Sequence, residues 1–425
     1  MPYELLIALR YLRAKRKQLF VSIITGISTL GIFLGVAALI IVLAVMNGFE
    51  MDLREKILGI NAHIALMKLT GPFDDYRSVI QKIEQVPGVL AATPCVYGQV
   101  MLKSGDRVTG VVVRGISPTD ASRVINLGNM HAGSFDNLSA ARRHMPGLDP
   151  AAAALPGIVL GRELAKNMGL LLGDTVSVIS PMGVATPFGM VPRVKKFLVA
   201  GIFDSGLYEY DATLAFLDLK DCQEFLGMDD AVTGVDVKIR DIYAAPTIAA
   251  AIENKLGFPY LARTWMEMNK NLFSALRLEK RVMFIILSLI VLVAAFNIIS
   301  TLIMVVMEKS RDIAILKSLG ATRASIMKVF IFQGLAIGVG GTTAGCAAGV
   351  AVALHLEQVT RFLEKLFGFK FLPGGVYYLN ELPSQVNYSD VATIIVVTML
   401  LCFFSTLYPS WRASRLDPVE TLRYD

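Results

Sequence analysis

The sequence predicts an integral membrane α-helical protein with four transmembrane helices and a large α+β domain inserted between helices 1 and 2. Three observations predict it. Hydrophobic residues make up 54% of the 425 positions and charged residues only 18%, with a mean hydropathy of +0.56. That leaves too little polar surface to cover the apolar content in water. Four charge-free runs approach or exceed the roughly 20 residues that a bilayer crossing needs. Between the first two runs, residues 50–281 form a segment long enough to bury its own core.

Residues 1–18 are a basic leader (Arg10, Arg13, Lys15, Arg16, Lys17) ahead of the first span, 19–49. The leader resembles the n-region of a signal peptide. The apolar run is about twice too long for one and lacks a small-x-small cleavage site, so an uncleaved helix is expected. The other spans are predicted at 282–307, 329–354 and 391–411, with loops at 308–328 and 355–390 and a tail at 412–425. Five Lys or Arg precede the first span, five (Lys309, Arg311, Lys317, Arg323, Lys328) separate the second from the third, and three (Arg412, Arg415, Arg423) follow the fourth. The 355–390 loop has three basic residues against four acidic ones. The positive-inside rule therefore places both termini and the 308–328 loop in the cytoplasm, with Tyr408 and Trp411 as interfacial anchors. The 50–281 segment is then outside. It holds 25 of the 41 basic and 25 of the 35 acidic residues, so the net charge of +6 is a topology signal and not a nucleic-acid footprint.

Within that outer segment, Asp75 to Gln85 reads as an amphipathic helix ended by Pro87-Gly88. Val108 to Gly115, Gly157 to Leu160, Thr175 to Ile179, Lys195 to Ile202, Thr213 to Leu217 and Gly234 to Ile239 read as strands. Arg162 to Met168, Leu219 to Leu226 and Ala245 to Leu256 read as helices. Strands and helices mix without a βαβ rhythm, which gives α+β. Met130 to Pro156, rich in Ala, Pro and Gly, is expected to be a loose loop. Thr264 to Glu279 runs without a proline into Val282 and predicts one long helix into the second span; the alternative is a break at Lys280-Arg281.

Several chemistries are missing. No G-x-x-x-x-G-K-[ST] occurs, so the chain has no phosphate-cradling loop for ATP. There is no G-x-S-x-G, no H-E-x-x-H and no carboxylate, lysine or histidine inside a span to relay protons. Four scattered cysteines (Cys95, Cys222, Cys346, Cys402) and four histidines (His63, His131, His144, His355) support neither a metal site nor a disulfide framework. Small-residue stripes stand out instead: Gly341, Gly345 and Gly349 after Gly334 and Gly338, and Gly31 with Gly35. They fit close helix packing, within one chain or across a dimer.

The loop from Met307 to Phe330, MEKSRDIAILKSLGATRASIMKVF, is the strongest single element. Ile313, Leu316 and Leu319 share one helical face, with Ile315 nearby. Gly320 is placed to end that helix and Thr322 to cap the next. Such a helix suits the lipid surface or a groove on a motor protein.

This loop, the run Val45-Met46-Asn47-Gly48-Phe49-Glu50, and the run Ser405-Thr406-Leu407-Tyr408-Pro409-Ser410-Trp411-Arg412-Ala413 strongly resemble the membrane subunits of lipoprotein-releasing ABC transporters, the LolC/LolE family. Asp417-Pro418 and Leu422-Arg423-Tyr424 continue the likeness, which covers essentially the whole chain. The loop alone is shared with the wider FtsX/MacB-like permease superfamily. The resemblance implies a non-catalytic subunit of the bacterial inner membrane that binds no cofactor. Its implied partners are a second permease subunit, homologous or identical, and a cytoplasmic ABC ATPase dimer that uses ATP and Mg. The implied work is to extract acylated outer-membrane lipoproteins from the bilayer by mechanotransmission and hand them to a periplasmic carrier.

It further implies three sites. The lipoprotein groove would use Val42, Val45, Met46 and Phe49 with Phe284, Leu287, Ile290 and Val291, and the loop residues Tyr377 and Tyr378. Each buried acyl CH₂ gains roughly 0.8 kcal/mol but loses about as much on leaving the bilayer, so binding rests on shape. A carrier-binding hairpin would use Pro187, Phe188, Gly189, Met190 and Pro192, with Arg193, Lys195 and Lys196 as charged anchors. The ATPase contact would use Arg311, Asp312, Ile313, Leu316, Lys317, Leu319 and Gly320. The hairpin is similar to one subunit type and the Tyr377-Tyr378 loop to the other, as expected of a single permease working as a homodimer. Three other readings compete: an efflux permease of the macrolide or peptide type, which normally carries its own ATPase; a cell-division permease regulating wall hydrolases, with a smaller outer domain; and a membrane hydrolase, for which no nucleophile–base pair is present.

Overall fold

The structure is a computed structural model and describes residues 3–12, 19–124, 129–139, 154–186, 189–368 and 382–417. In chain order the helices begin with α1 (Tyr3–Leu12), α2 (Leu19–Ile60), α3 (Tyr76–Glu84), α4 (Pro118–Val124) and α5 (Arg162–Met168). They continue with α6 (Tyr208–Thr213), α7 (Leu219–Leu226), α8 (Ala245–Leu256), α9 (Trp265–Met268) and α10 (Lys270–Glu308). The last are α11 (Ser310–Ser318), α12 (Arg323–Leu354), α13 (Leu356–Phe367) and α14 (Tyr388–Ser414). The strands are β1 (Ile64–Lys68), β2 (Val89–Ser104), β3 (Arg107–Ile116), β4 (Asn129–Gly133) and β5 (Gly157–Gly161). They are followed by β6 (Thr175–Thr186), β7 (Gly189–Asp204), β8 (Leu214–Asp218), β9 (Gly234–Ile239) and β10 (Tyr260–Thr264). The chain divides into a helical unit and a sheet unit, the latter built mainly from residues 52–273.

In the helical unit, α2, α10, α12 and α14 are long and apolar enough to cross a membrane. Helix α2 continues well past Phe49. Its Met51–Leu58 stretch contains no proline or glycine and carries an Asp52–Lys56 ion pair of 2.9 Å at i,i+4 spacing, which suits a helix that has left an apolar setting. The core of the unit is Ile32, Val36, Leu39, Ile40 and Leu43 of α2 against Val291, Ala294, Ile298 and Leu302 of α10, with Ile337, Ile394 and Cys402.

The small-residue stripes are used up inside this one chain. A Cβ at Gly345 would stand 2.8 Å from the Phe33 carbonyl oxygen and 2.9 Å from Val36 Cβ; one at Gly341 would stand 2.8 Å from Ile32 Cβ. Gly349 meets Ala37 and Ile40 in the same way, so α12 lies directly on the backbone of α2. On the other side of α2, Gly35 faces Val291 and Gly31 faces Ala294 of α10. Gly334 and Gly338 admit Thr406 and Cys402 of α14. Of the two readings of these glycines, packing within one chain is the one observed.

Three sequence expectations change. The long helix into the second span runs unbroken through Lys280-Arg281 as α10, but it starts at Lys270, after a break at Asn269, and not at Thr264. A capping box between Thr264 and Glu267 starts α9, whose C-cap Asn269 donates its side-chain amide to the Trp265 carbonyl before α10 begins. The 355–390 loop contains a full helix, α13, because an apolar stripe continues beyond the third span. Met130 to Pro156 is not uniformly loose. Strand β4 pairs with β7, and a 3-10 turn at Phe135–Leu138 buries both end residues; residues 140–153 lie outside the described residues.

The sheet unit is α+β, as its patterning predicts. Its strands run in the order β10-β1-β9-β2-β3-β8-β5-β7-β4, and β6 bridges β2 and β7. The pairings β2–β3, β3–β8, β8–β5, β5–β7, β7–β6 and β6–β2 therefore close a ring of six strands. Closure hides edges that would otherwise recruit other chains. In one core of the unit, Phe216 lies edge-on to both Phe135 and Phe203 at 5.2 Å between centroids. The last residue of α2, Ile60, belongs to this core.

Arg114 on β3 fixes that helix end. Its guanidinium is 1% exposed; it donates to the Ile60 carbonyl at 2.8 Å and to Asp236 on β9 at 2.5 Å, and it lies over the Tyr97 ring. Beside it, Asn61 donates to the Tyr210 hydroxyl at 2.8 Å. Nearby, Arg54 of α2 donates to Tyr243 at 2.6 Å and sits over the rings of Tyr243 and Trp265. Removing one partner of a buried ion pair strands the other. Arg114→Ala is therefore expected to lose about 3–5 kcal/mol of stability, and Arg114→Leu combined with Asp236→Leu to regain most of it. Thermal unfolding of the full chain in mild detergent checks this: an Arg114→Ala melt equal to that of the parent refutes it.

Candidate functional sites

The groove candidates lie near one end of the helical unit. Val42, Val45, Met46 and Phe49 are half-buried on α2. Phe284 and Leu287 of α10 are half-buried against the core, and Ile290 is exposed. Val291 is a correction: it is 2% exposed and packed on Gly35, so it is a core residue and not part of an open face. Tyr377 and Tyr378 lie outside the described residues.

A polar cluster next to these apolar positions went unnoticed in the sequence. Asn47 of α2 donates to Asp390 of α14 at 2.9 Å, Lys280 of α10 donates to Asn47 at 2.7 Å, and Lys280 and Asp390 pair at 3.2 Å. Three helices are thus tied one residue away from Met46. The signal was available: Lys280 stands two residues before the second span, and Asp390 directly precedes the fourth. Gly48 has its own reason. The backbone of Pro383 and Ser384 crosses it so closely that a Cβ would stand 2.5 Å from the Pro383 carbonyl, while the Gln385 amide donates to the Ala44 carbonyl at 2.9 Å. The Asn47-Gly48 pair of the quoted motif is therefore one bridge and one close approach.

In the sheet unit, β6 and β7 form the expected hairpin. They pair from Thr175↔Leu198 to Ser180↔Arg193 and again from Val184↔Val191 to Thr186↔Gly189. Pro181 and Gly183 fall in the interruption between the two ladders, where a strand ladder tolerates them. Pro187 and Phe188 lie outside the described residues; Gly189 and Met190 occupy strand positions opposite Thr186 and Ala185. Pro192 is exposed. Arg193 and Lys195, expected as charged anchors of the hairpin, have partners within the sheet unit. Arg193 donates to the Glu224 and Phe225 carbonyls at the end of α7, and Lys195 donates to the Glu224 carboxylate at 2.8 Å. The Lys195 ammonium holds the Glu224 carboxyl below its usual range. Both cations brace the hairpin base, whereas the exposed side chains on β7 include the apolar Val191 and Val194.

The 308–328 loop folds as α11 in the helical unit. Ile313 is buried with Val305 and Val306 of α10, Ile326 and Phe330 of α12 and Ala413 of α14, and Leu316 packs against them. Lys309 pairs with the half-buried Asp312 at 3.5 Å. Gly320, at φ +98°, ends the turn in the left-handed region that favours glycine, and the Thr322 hydroxyl accepts from the Ser325 amide at 3.2 Å to start α12. Lys317 donates to the Ser414 and Leu416 carbonyls at 2.7 Å each, closing the end of α14. Burial, with Arg323 nearby, draws the Lys317 pKa down. Leu319 departs from the shared face expected of it. The helix ends at Ser318, and Leu319 stands 79% exposed beyond it. The outward surface of α11 is therefore Arg311, Ile315 and Leu319, not Ile313 and Leu316.

The described residues contain no group of His, Cys, Asp and Glu able to hold a metal ion. The small residues of the Ser405–Ala413 motif have packing roles: Thr406 meets Gly334, and the Ser410 hydroxyl donates to the Thr406 carbonyl at 2.6 Å, near the in-helix Pro409.

Comparison with known proteins agrees with this arrangement. The MacB-like periplasmic core domain matches residues 25–255 and the FtsX-like permease C-terminal family residues 284–418. The lipoprotein-releasing system transmembrane protein LolC of Neisseria meningitidis is 40% identical over 99% of both chains. In Haemophilus influenzae, LolE is 30% identical over 98% of both chains, and LolC is 30% identical over 100% of this chain and 99% of its own. Four membrane-length helices and near-complete coverage at this identity lead to one conclusion: the chain belongs to the LolC/LolE family of lipoprotein-releasing transmembrane permeases.

Proposed function

We propose that two copies of this inner-membrane chain, seated on a separate ABC ATPase dimer, lift acylated lipoproteins out of the outer leaflet and pass them to a periplasmic carrier. Both termini and α11 are cytoplasmic in this reading. The sheet unit, between the first and second spans, is periplasmic. The chain is non-catalytic and holds no cofactor; ATP and Mg are used by the ATPase, whose closure is transmitted mechanically and not through a channel. Acyl chains enter beside Met46, Phe49, Phe284 and Leu287, and the β6–β7 hairpin meets the carrier.

The observation that carries the reading is the construction of α11. Its inner face is locked to the ends of three spans, and its outer edge exposes Ile315 and Leu319. A body docked on that edge moves α10, α12 and α14 together. The chain's equal identity to a LolC and a LolE of one organism supports a single permease filling both positions.

Ile315→Asp and Leu319→Asp are expected to reduce ATPase co-purification by about tenfold or more, as for loss of an interface anchor, with the melting temperature unchanged. Retention of the ATPase by both variants rejects α11 as its contact. Intact-complex mass spectrometry through a tag on this chain is expected to show an ATPase, an acylated lipoprotein and one permease mass; a second permease mass excludes the homodimer. Met46→Asp places a charge worth about 2–3 kcal/mol in apolar surroundings and is expected to abolish lipoprotein release. Normal release by a stably inserted variant removes Met46 from the groove.

A further inference from the structure

Helix α13 has no role in the function proposed above. Helix α12 ends at Leu354 and α13 begins at Leu356, so a single residue, His355, caps one and starts the other. An apolar stripe runs along it. At 100° per residue, Leu356, Val359, Phe362, Leu363, Leu366 and Phe367 fall within roughly 140° of arc. Glu357, Gln358, Arg361, Glu364 and Lys365 fill the remainder, and Arg361 pairs with Glu357. Leu356 is buried and Val359 and Leu363 are half-buried, but Phe362 and Leu366 are each 65% exposed. Gly368, at φ +72°, stops the helix in the left-handed region directly after the stripe ends.

We propose that α13 lies in the plane of the bilayer, its Phe362–Leu366 edge sunk into the headgroup–acyl boundary of the leaflet where α12 ends. Covalent continuity identifies the occupant. A helix that starts one residue after a membrane-length span begins at the membrane–water boundary, where acyl chains are the apolar phase within reach. Two acids and two bases leave the helix without net charge, so burial of the apolar face holds it and anionic headgroups are not required. Under the topology proposed above, this is the leaflet from which lipoproteins are taken. The docking itself rests only on the membrane-spanning character of α12.

The test uses the full chain in phosphatidylcholine vesicles with an environment-sensitive fluorophore on one new cysteine: Phe362→Cys, Leu366→Cys, Arg361→Cys or Lys365→Cys. The parent chain, labelled in parallel, supplies the background from Cys95, Cys222, Cys346 and Cys402. Labels at Phe362 and Leu366 are expected to be quenched about threefold more by lipid brominated near the headgroup than by aqueous iodide, and labels at Arg361 and Lys365 the reverse. Equal iodide quenching at all four positions would mean that the face stands in water and would overturn the proposal. Protection of Phe362 and Leu366 from both quenchers would overturn it in favour of a protein partner such as a second copy. Neither result bears on lipoprotein release, so failure here leaves the proposed function standing.

Discussion

The helical unit depends on one contact, the backbone-to-backbone seat of α12 on α2 through Gly341, Gly345 and Gly349. In a bilayer, lipid tails are as apolar as leucine, so burying apolar surface between helices gains little; close packing must hold them instead. With a glycine every fourth position, α12 sinks onto Ile32, Val36 and Ala37. Gly31 and Gly35 do the same for α10 on another side of α2. Helix α2 is thereby enclosed by both neighbours, and Gly334 and Gly338 bring α14 against α12.

At the helix ends the solution changes from shape to polarity. Asn47, Lys280 and Asp390 tie three helices at one end, and Lys317 closes the last carbonyls of α14 at the other. Neither arrangement would hold in the middle of a span, where a charge is costly. The first places a charged, hydrogen-bonded cluster beside half-buried apolar side chains. The pair is partly exposed, so it contributes little to stability. What it contributes is a fixed register of α2, α10 and α14 next to Met46.

The four helices of membrane length and the α+β character of the sheet unit were legible because they depend on composition and on the short periods of local structure. Strand and helix boundaries such as Arg162–Met168 and Leu219–Leu226 follow from local caps and turns. What stayed hidden depends on partners distant in sequence. Ile313 and Leu319 are equally apolar, yet one is buried by α10, α12 and α14 and the other protrudes, because Gly320 ends the helix between them and the next span. The partners of Arg193 and Lys195 come into view only when α7 is placed beside them. Strands β1 and β10 are five residues each and exist through their pairing with each other. The same holds for Gly48, whose need for a bare Cα is set by Pro383, far along the chain.

The sheet unit meets the problem of anchoring a long helix in a different way. An α-helix leaves its last carbonyls without partners, and Ile60 ends α2 among Ile116, Phe135 and Phe216, where no water can serve them. Arg114 supplies the donor, and Asp236 then becomes necessary, because a buried guanidinium without a carboxylate would be more costly than the carbonyl it serves. The ion pair is therefore a consequence of putting the helix end inside the core. Arg54, further back on α2, holds Tyr243 and Trp265 in the same unit, and Trp265 lies edge-on to Phe273 near the start of α10. The end of α2 is thus fastened within the sheet unit by two cations, Arg114 and Arg54, that the local pattern of the sequence does not distinguish from solvent-facing ones.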